Sequence, residues 1–144
     1  MKGFKGRRED DRLLTGRGRF TADWNLPGQL YGYFVRSDRA HADIEKIETR
    51  LALASPGVKA ILTGEDTADF KTPPPMVRYP GKGGSAIKVP HRDVIARKRV
   101  RYVGQEVALV VATSAAAAQD AAEAIEIEYR DLPAVVDARA ALEP

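Results

Sequence analysis

The chain has 144 residues, of which 44% are hydrophobic and 30% are charged, and it contains no cysteine. A domain of this size buries about 68–70% of the surface that its unfolded chain exposes, so it needs no disulfide or metal to form a core. The absence of cysteine excludes disulfides, thiolate metal sites, iron–sulfur ligation by this chain and a cysteine nucleophile. It also fits a reducing compartment, and we expect a cytoplasmic location.

The charge balance argues against nucleic acid as a partner. The net charge is +3, from 23 basic and 20 acidic residues, with basic clusters at residues 2–19 and 82–101. Basic clusters are typical of nucleic-acid binders, but this balance is too even and no aromatic ladder accompanies the clusters. No apolar run approaches the ~20 residues of a membrane helix. We therefore interpret the clusters as solvated surface or protein interface and expect no membrane partner.

Residues 1–28 are polar and rich in glycine, which predicts an extended N-terminal arm with little regular structure. Its anchors would be its large apolar side chains, namely Leu13, Leu14, Phe20 and Trp24. Residues 29–144 would then form a single α/β domain. Within it, residues 64–93 hold most of the prolines and several glycines, which predicts a long loop.

The remaining segments predict alternating strands and short helices. Strands are predicted at residues 29–36, 43–49, 58–63, 106–112, 125–129 and 134–136, and one helical turn at 50–54. An alanine-rich helix at 114–124 would be capped by Thr113 or Ser114, and Asp137 would cap a final turn. A helix between two strands allows them to run parallel. The fold class is therefore α/β (α+β), with a mixed sheet and a strand–helix–strand unit near the C-terminus.

No motif in the chain carries catalysis. Glycines at 16, 18, 81, 83 and 84 lack the spacing of phosphate-binding loops. Ser37, Asp38 and His41 lie too close in sequence for a catalytic triad, and a turn is the simpler interpretation.

Metal binding and carboxylate catalysis are also not indicated. His91, beside Arg92 and Asp93, is one histidine with one carboxylate and does not make a metal site. Glu126 and Glu128 share one strand face, which we expect to be solvated, and Glu123 points elsewhere.

Six segments together resemble one family. They are residues 8–23, 26–28, 34–37 with 40–42, 56–64, 103–108 and 127–136, for example Pro56-Gly57-Val58-Lys59-Ala60-Ile61-Leu62-Thr63-Gly64 and Val103-Gly104-Gln105-Glu106-Val107-Ala108. Their order and spacing resemble the start of molybdenum hydroxylase large subunits, the family of xanthine dehydrogenase, aldehyde oxidases and aerobic carbon monoxide dehydrogenases. The resemblance covers nearly the whole chain and is weakest at residues 66–92.

The resemblance implies an N-terminal α/β hammerhead domain. Enzymes of this family hydroxylate a carbon centre or oxidise carbon monoxide at a molybdenum–pterin site, with iron–sulfur and flavin subunits or domains as electron acceptors. Their main pterin-binding segments and glutamate base lie downstream, so the resemblance assigns no catalytic, cofactor-binding or metal residue to this chain. The implied partners are the downstream molybdenum–pterin domains and the iron–sulfur and flavin components.

Gly104 and Gln105 are the candidates for contact with the cofactor domain, because they precede a buried strand and offer an amide. A bulge with a satisfied side chain is the alternative interpretation. The arm at residues 7–19 would lie against the rest of the large subunit or the iron–sulfur partner. A free-standing adaptor that docks onto a partner protein remains the alternative function.

Overall fold

The structure is a computed structural model and describes residues 6–70, 80–85, 89 and 92–142. The prediction for His91 lies outside the described residues. The strands are β1 (Tyr31–Arg36), β2 (Ala42–Glu48), β3 (Val58–Thr63), β4 (Arg99–Val100), β5 (Glu106–Ala112) and β6 (Glu126–Asp131). The helices are α1 (Asp10–Leu14), α2 (Arg50–Leu53) and α3 (Ala115–Glu123). Single 3-10 turns occur at Thr21–Asp23, Lys82–Gly84 and Ala140–Leu142.

Two three-stranded sheets organise the domain. Sheet A has the order β1-β5-β3 and sheet B the order β4-β2-β6, and every pair of neighbouring strands is antiparallel. The α/β class is confirmed, but the predicted mixed sheet is wrong. Since β5 is already paired on both of its edges, β6 cannot join it after α3 and pairs with β2 instead.

Helix α3 covers one face of sheet A. Ala118 and Ala121 are fully buried against Val110 and Ala112 of β5. Methyl side chains let the helix approach the sheet closely, and the buried alanines at 118, 121 and 122 recur at helical spacing. Of the two predicted caps, Ser114 serves, because its Oγ accepts a hydrogen bond from the backbone N–H of Ala117 at 3.1 Å.

A second core joins sheet B to β5. Ala42, Ala96, Val100 and Val107 are buried together there, and apolar residues of β2 and β6 pack around them. Because Val107 belongs to sheet A, this cluster fixes the two sheets to each other.

Charged side chains, in place of apolar ones, cover part of sheet B. Asp43 of β2 forms ion pairs with Arg99 of β4 and Arg130 of β6. The hydrogen bond from Arg99, helped by the charge of Arg130, holds the pKa of the Asp43 carboxyl below its ordinary value of 3.8 although burial opposes this. Asp43 therefore connects all three strands of the sheet.

The chain after β3 is fixed to the segment before β4. A Cβ on Gly64 would lie 2.6 Å from the carbonyl oxygen of Ala96 and 2.5 Å from the Cα of Arg97, so only glycine fits. Arg97 also pairs with Glu65 at 2.9 Å. Asp66 accepts a hydrogen bond from the backbone N–H of Thr63 at 2.7 Å, which ends β3.

The N-terminal segment differs from its prediction in two ways. It contains the short helix α1, where little regular structure was predicted. Its predicted anchors are also exposed, since Leu14, Phe20 and Trp24 keep more than half of their surface open. Trp24 is partly covered by the guanidinium of Arg19, 5.3 Å from the centre of its ring, but Arg19 belongs to the same segment. The division at residue 28 stays a prediction.

The C-terminal segment follows its prediction in part. Asp137 Oδ1 accepts hydrogen bonds from the backbone N–H groups of Arg139 and Ala140, both at 2.9 Å, and so caps the last turn as predicted. Residues 134–136 form no strand, so the strand predicted there is wrong. Among the described residues, no helix has the length and apolar character needed to cross a bilayer.

Candidate functional site

A tight turn precedes β5 and is held by backbone hydrogen bonds. Gly104 has φ +90°, a left-handed conformation that favours glycine. Its N–H donates to the carbonyl of Ser37 at 2.7 Å, and the N–H of Ser37 donates to the carbonyl of Gln105 at 2.9 Å. The guanidinium of Arg36 donates to the carbonyl of Gly104 at 2.7 Å. The turn is therefore fixed to the end of β1.

The side chain of Gln105 points into this turn. It is 5% exposed, and its Oε1 accepts a hydrogen bond from the backbone N–H of Arg101 at 2.7 Å. The amide oxygen thus has its hydrogen-bond partner within the chain, as the alternative interpretation of this side chain expected. What the turn presents outward is Tyr102 and Val103, which are 44% and 65% exposed. A contact of Gly104 and Gln105 with a cofactor domain stays a prediction.

An open groove lies between this turn and the chain that follows β6. It has a volume of about 530 Å³ and is lined by residues 101–103 and 133–136, with Ala40 and His41 at its base. Val135 and Val136 are 66% and 89% exposed along one wall. We call this the Gly104 groove. Its lining is mostly apolar, which is typical of a surface that a partner covers.

His41 supports the far wall of the Gly104 groove. Its ring Nδ1 hydrogen bonds to the carbonyl oxygen of Pro133 at 2.7 Å, and its backbone carbonyl accepts from the N–H of Leu132 at 2.9 Å. The hydroxyl of Ser37 accepts from the N–H of Arg39 at 2.9 Å. Ser37 and His41 are therefore used in local structure, which agrees with a turn in place of a triad.

A second cleft lies on the face of sheet A that α3 does not cover. It has a volume of about 440 Å³, and aligned residues of all three strands form its floor. These floor residues are Phe34, Leu62 and Leu109. Two chain segments that border undescribed residues, near Phe70 and Arg92, form its sides. The cleft therefore combines an apolar floor with polar and charged side chains at Thr67, Arg92, Asp93 and Glu106.

The described residues contain no group of three or more histidine, aspartate or glutamate side chains placed to hold a metal ion. The glutamates at 123, 126 and 128 are exposed, as expected. Glu128 lies 3.7 Å from Lys46 across the sheet. These carboxylates belong to a solvated surface.

Sequence reasoning missed two features of this region. The exposed pair Tyr102 and Val103 had a local signal, since two apolar residues precede a turn glycine. The hydroxyl of Tyr129 had none: it is buried beneath Ser37 and Arg39, and burial raises the pKa of this phenol. Tyr129 packs against the second core and so belongs to the fold.

Comparison with known proteins agrees with this architecture. Residues 15–133 match the family model of the aldehyde oxidase and xanthine dehydrogenase a/b hammerhead domain. The nicotine 6-hydroxylase large subunit of Paenarthrobacter nicotinovorans is 42% identical over 137 residues, which is 95% of this chain and 16% of that protein. The carbon monoxide dehydrogenase large chain of Afipia carboxidovorans is 43% identical over 94% of this chain and 16% of its own length.

Solved structures show the same likeness. The quinoline 2-oxidoreductase of Pseudomonas putida 86 superposes with a TM-score of 0.83 and 42% identity over 95% of this chain and 17% of that chain. A Cu,Mo-CO dehydrogenase superposes with a TM-score of 0.78 and 40% identity over 97% of this chain and 16% of its own. The chain thus spans about one sixth of these relatives. It belongs to the aldehyde oxidase and xanthine dehydrogenase family, as its α/β hammerhead domain.

Proposed function

We propose that this chain is the N-terminal scaffold and assembly domain of a molybdopterin-dependent oxidoreductase large subunit. In this proposal it supplies no catalytic group itself. The observation that carries the proposal is an uneven distribution of apolar surface. The domain has two cores of its own, yet the N-terminal segment and the Gly104 groove expose large apolar side chains. Such surface favours burial against neighbouring protein.

The reaction of the whole subunit is part of the proposal. Relatives include carbon monoxide dehydrogenase large chains and a xanthine dehydrogenase molybdenum-binding subunit. We propose an oxidoreductase of this kind that uses a molybdenum–pterin cofactor, which supplies the redox centre when bound. We assign the described residues no chemical step in that reaction.

The proposed partners are the downstream domains of the same subunit and iron–sulfur and flavin components. One relative is named as a subunit of a dehydrogenase complex, which supports assembly with other chains. Nucleic acid is less well supported, because several arginines outside the N-terminal segment pair with carboxylates. These pairs are Arg36–Glu106, Arg97–Glu65, Arg99–Asp43 and Arg130–Asp43.

The intact mass of the native polypeptide that carries this sequence separates the two candidate functions. A chain several-fold longer than 144 residues is the expected result, and the activity would then belong to the whole subunit. A native chain of 144 residues would contradict the proposal and favour a free-standing adaptor. Mass spectrometry of the protein purified from its source cells gives the answer.

The assembly role is tested in the full-length subunit. Deleting residues 1–19 removes α1 and Leu14, and we expect reduced copurification of the iron–sulfur component. The exchange Arg17→Lys, at an exposed ion pair with Asp11, is the control and should leave assembly unchanged. Unchanged assembly after the deletion would contradict the role of the N-terminal segment.

A further inference from the structure

We infer that the Gly104 groove binds an apolar segment from a later part of the same polypeptide. The bound segment would carry an acidic residue at the end of the groove where Arg101 lies. The inference rests on the proposed function, because it requires a native chain longer than 144 residues. It names the surface through which the domain would attach to the rest of the subunit.

The first step is that hydrogen bonds within this chain hold parts of both walls of the groove in place. One wall is residues 101–103, where the N–H of Arg101 donates to the side chain of Gln105, and the adjoining N–H of Gly104 donates to the carbonyl of Ser37. The other wall is attached to His41 through Leu132 and Pro133. A surface fixed in this way loses little conformational entropy when a partner docks, and such preorganisation favours tight contact.

The second step is the chemistry of the walls. Tyr102 and Val103 on one side face Val135 and Val136 on the other, all exposed in this chain. Arg101 lies at the rim, and in the part of the chain that the structure describes no carboxylate forms an ion pair with it. An apolar centre with a charged rim is the usual anatomy of a protein interface. The matching occupant carries aliphatic or aromatic side chains and one carboxylate.

The third step identifies the source of the occupant. The turn Ala140–Leu142 lies four to six residues after Val136 in sequence, so any continuation of the chain would start only a short stretch of chain from the groove wall. The curated relatives do continue, since this domain covers only 16% of their length. A tethered segment has a high effective concentration at such a site, up to the order of millimolar for short linkers. A second copy or a separate subunit has no such advantage.

The direct test is photo-cross-linking in the full-length subunit. p-Benzoyl-phenylalanine replaces Tyr102, or as a control Leu51, which is 60% exposed on α2 away from the groove. We expect the probe at position 102 to cross-link within one polypeptide, to a peptide beyond residue 144, at a yield at least several-fold above that at position 51. Cross-links to another chain, or equal yields at the two positions, would overturn the inference.

A second variant checks the energetic role of the groove. In the full-length subunit, Val103→Asp places a charge on the exposed wall without touching either core. We expect limited proteolysis just after residue 142 to become at least ten-fold faster, with Val103→Ala intermediate and Leu51→Asp unchanged. Unchanged cleavage for Val103→Asp would overturn the inference. If the native chain is long but the expected cross-links and cleavage rates are not observed, the proposed function stands. Only the assignment of the Gly104 groove as the binding site is then wrong.

Discussion

Two regions of this molecule use similar apolar residues in opposite ways. Where α3 meets sheet A, Ala118 and Ala121 are fully buried and every methyl group faces protein. In the Gly104 groove, Val103 and Val136 are equally apolar but stand mostly open. The first region completes its packing within the chain. The second is held in part by hydrogen bonds at Gly104, Gln105 and His41 but lacks a cover, which is the expected state of a surface that a neighbour covers.

The largest loss of stability is expected at Gly64, where neighbouring backbone atoms leave no room for a Cβ. Gly64→Ala would place a Cβ within 2.6 Å of the backbone of Ala96, so the segment before β4 must move. We expect a loss of about 3 kcal/mol in the free energy of unfolding, measured with urea. Gly28→Ala is the matched control, because its site is open and only its φ of +76° is unfavourable. That variant should cost about 1–2 kcal/mol. Equal losses would contradict the packing account.

The next test concerns the buried interface between α3 and sheet A. Ala121→Leu would overpack the interface between α3 and sheet A, and we expect a loss of about 2 kcal/mol in the free energy of unfolding. Ala116→Leu makes the same chemical change on the exposed face of the helix and should alter stability by less than about 0.5 kcal/mol. Similar stability of the two variants would mean that α3 does not pack as described.

The helix cap gives a smaller effect. Ser114→Ala removes the oxygen that accepts from the N–H of Ala117, and we expect a loss of about 1 kcal/mol. Ser114→Asp keeps an acceptor there and should retain most of the stability. A loss for Ser114→Asp as large as that for Ser114→Ala would contradict the capping role.

The ion pairs of Asp43 on sheet B predict that the free energy of unfolding depends modestly on pH. Since the pKa of Asp43 is lowered in the folded chain, its pairing stabilises the fold above the ordinary value of 3.8 and is lost as the pH falls through the lowered pKa. Asp43→Asn should therefore flatten the fall in unfolding free energy at pH values below about 4. Arg99→Gln removes its main hydrogen-bond donor and should flatten the fall in the same way. An unchanged acid slope in both variants would contradict this account.

The sequence pattern predicted the bounds of helices and strands well where apolar residues or alanines dominate a segment. The bounds of β3 and β5 match the predicted runs, and α3 begins one residue after Ser114, which caps it. The arrangement of the sheets was not predictable in this way. It depends on which edges of β5 are free to pair. Both edges are already paired with strands that come earlier in the chain, β1 and β3.

Neither wall of the Gly104 groove was predicted from the sequence, because Gly104 and Gln105, the two predicted contact residues, lie next to the lining residues and not among them. The pair Gly104 and Gln105 marked the turn, but the opposite wall lies some thirty residues later and carries no local signal of its position. Asp43 likewise reads as an ordinary strand residue, and only the fold brings it between Arg99 and Arg130. Sequence patterns report local conformation, whereas these features depend on contacts between distant segments.

The most direct test of the central claim is hydroxyl-radical footprinting of the native full-length subunit. Side chains exposed in this domain should fall into two groups. Trp24, Tyr102 and Val103 are expected to be labelled much more slowly than their exposure in this structure implies, whereas Leu51 and Leu53 should be labelled as exposed residues. Such a split would show that the N-terminal segment and the Gly104 groove are covered by the rest of the subunit. Labelling of all five in proportion to their exposure here would contradict the account.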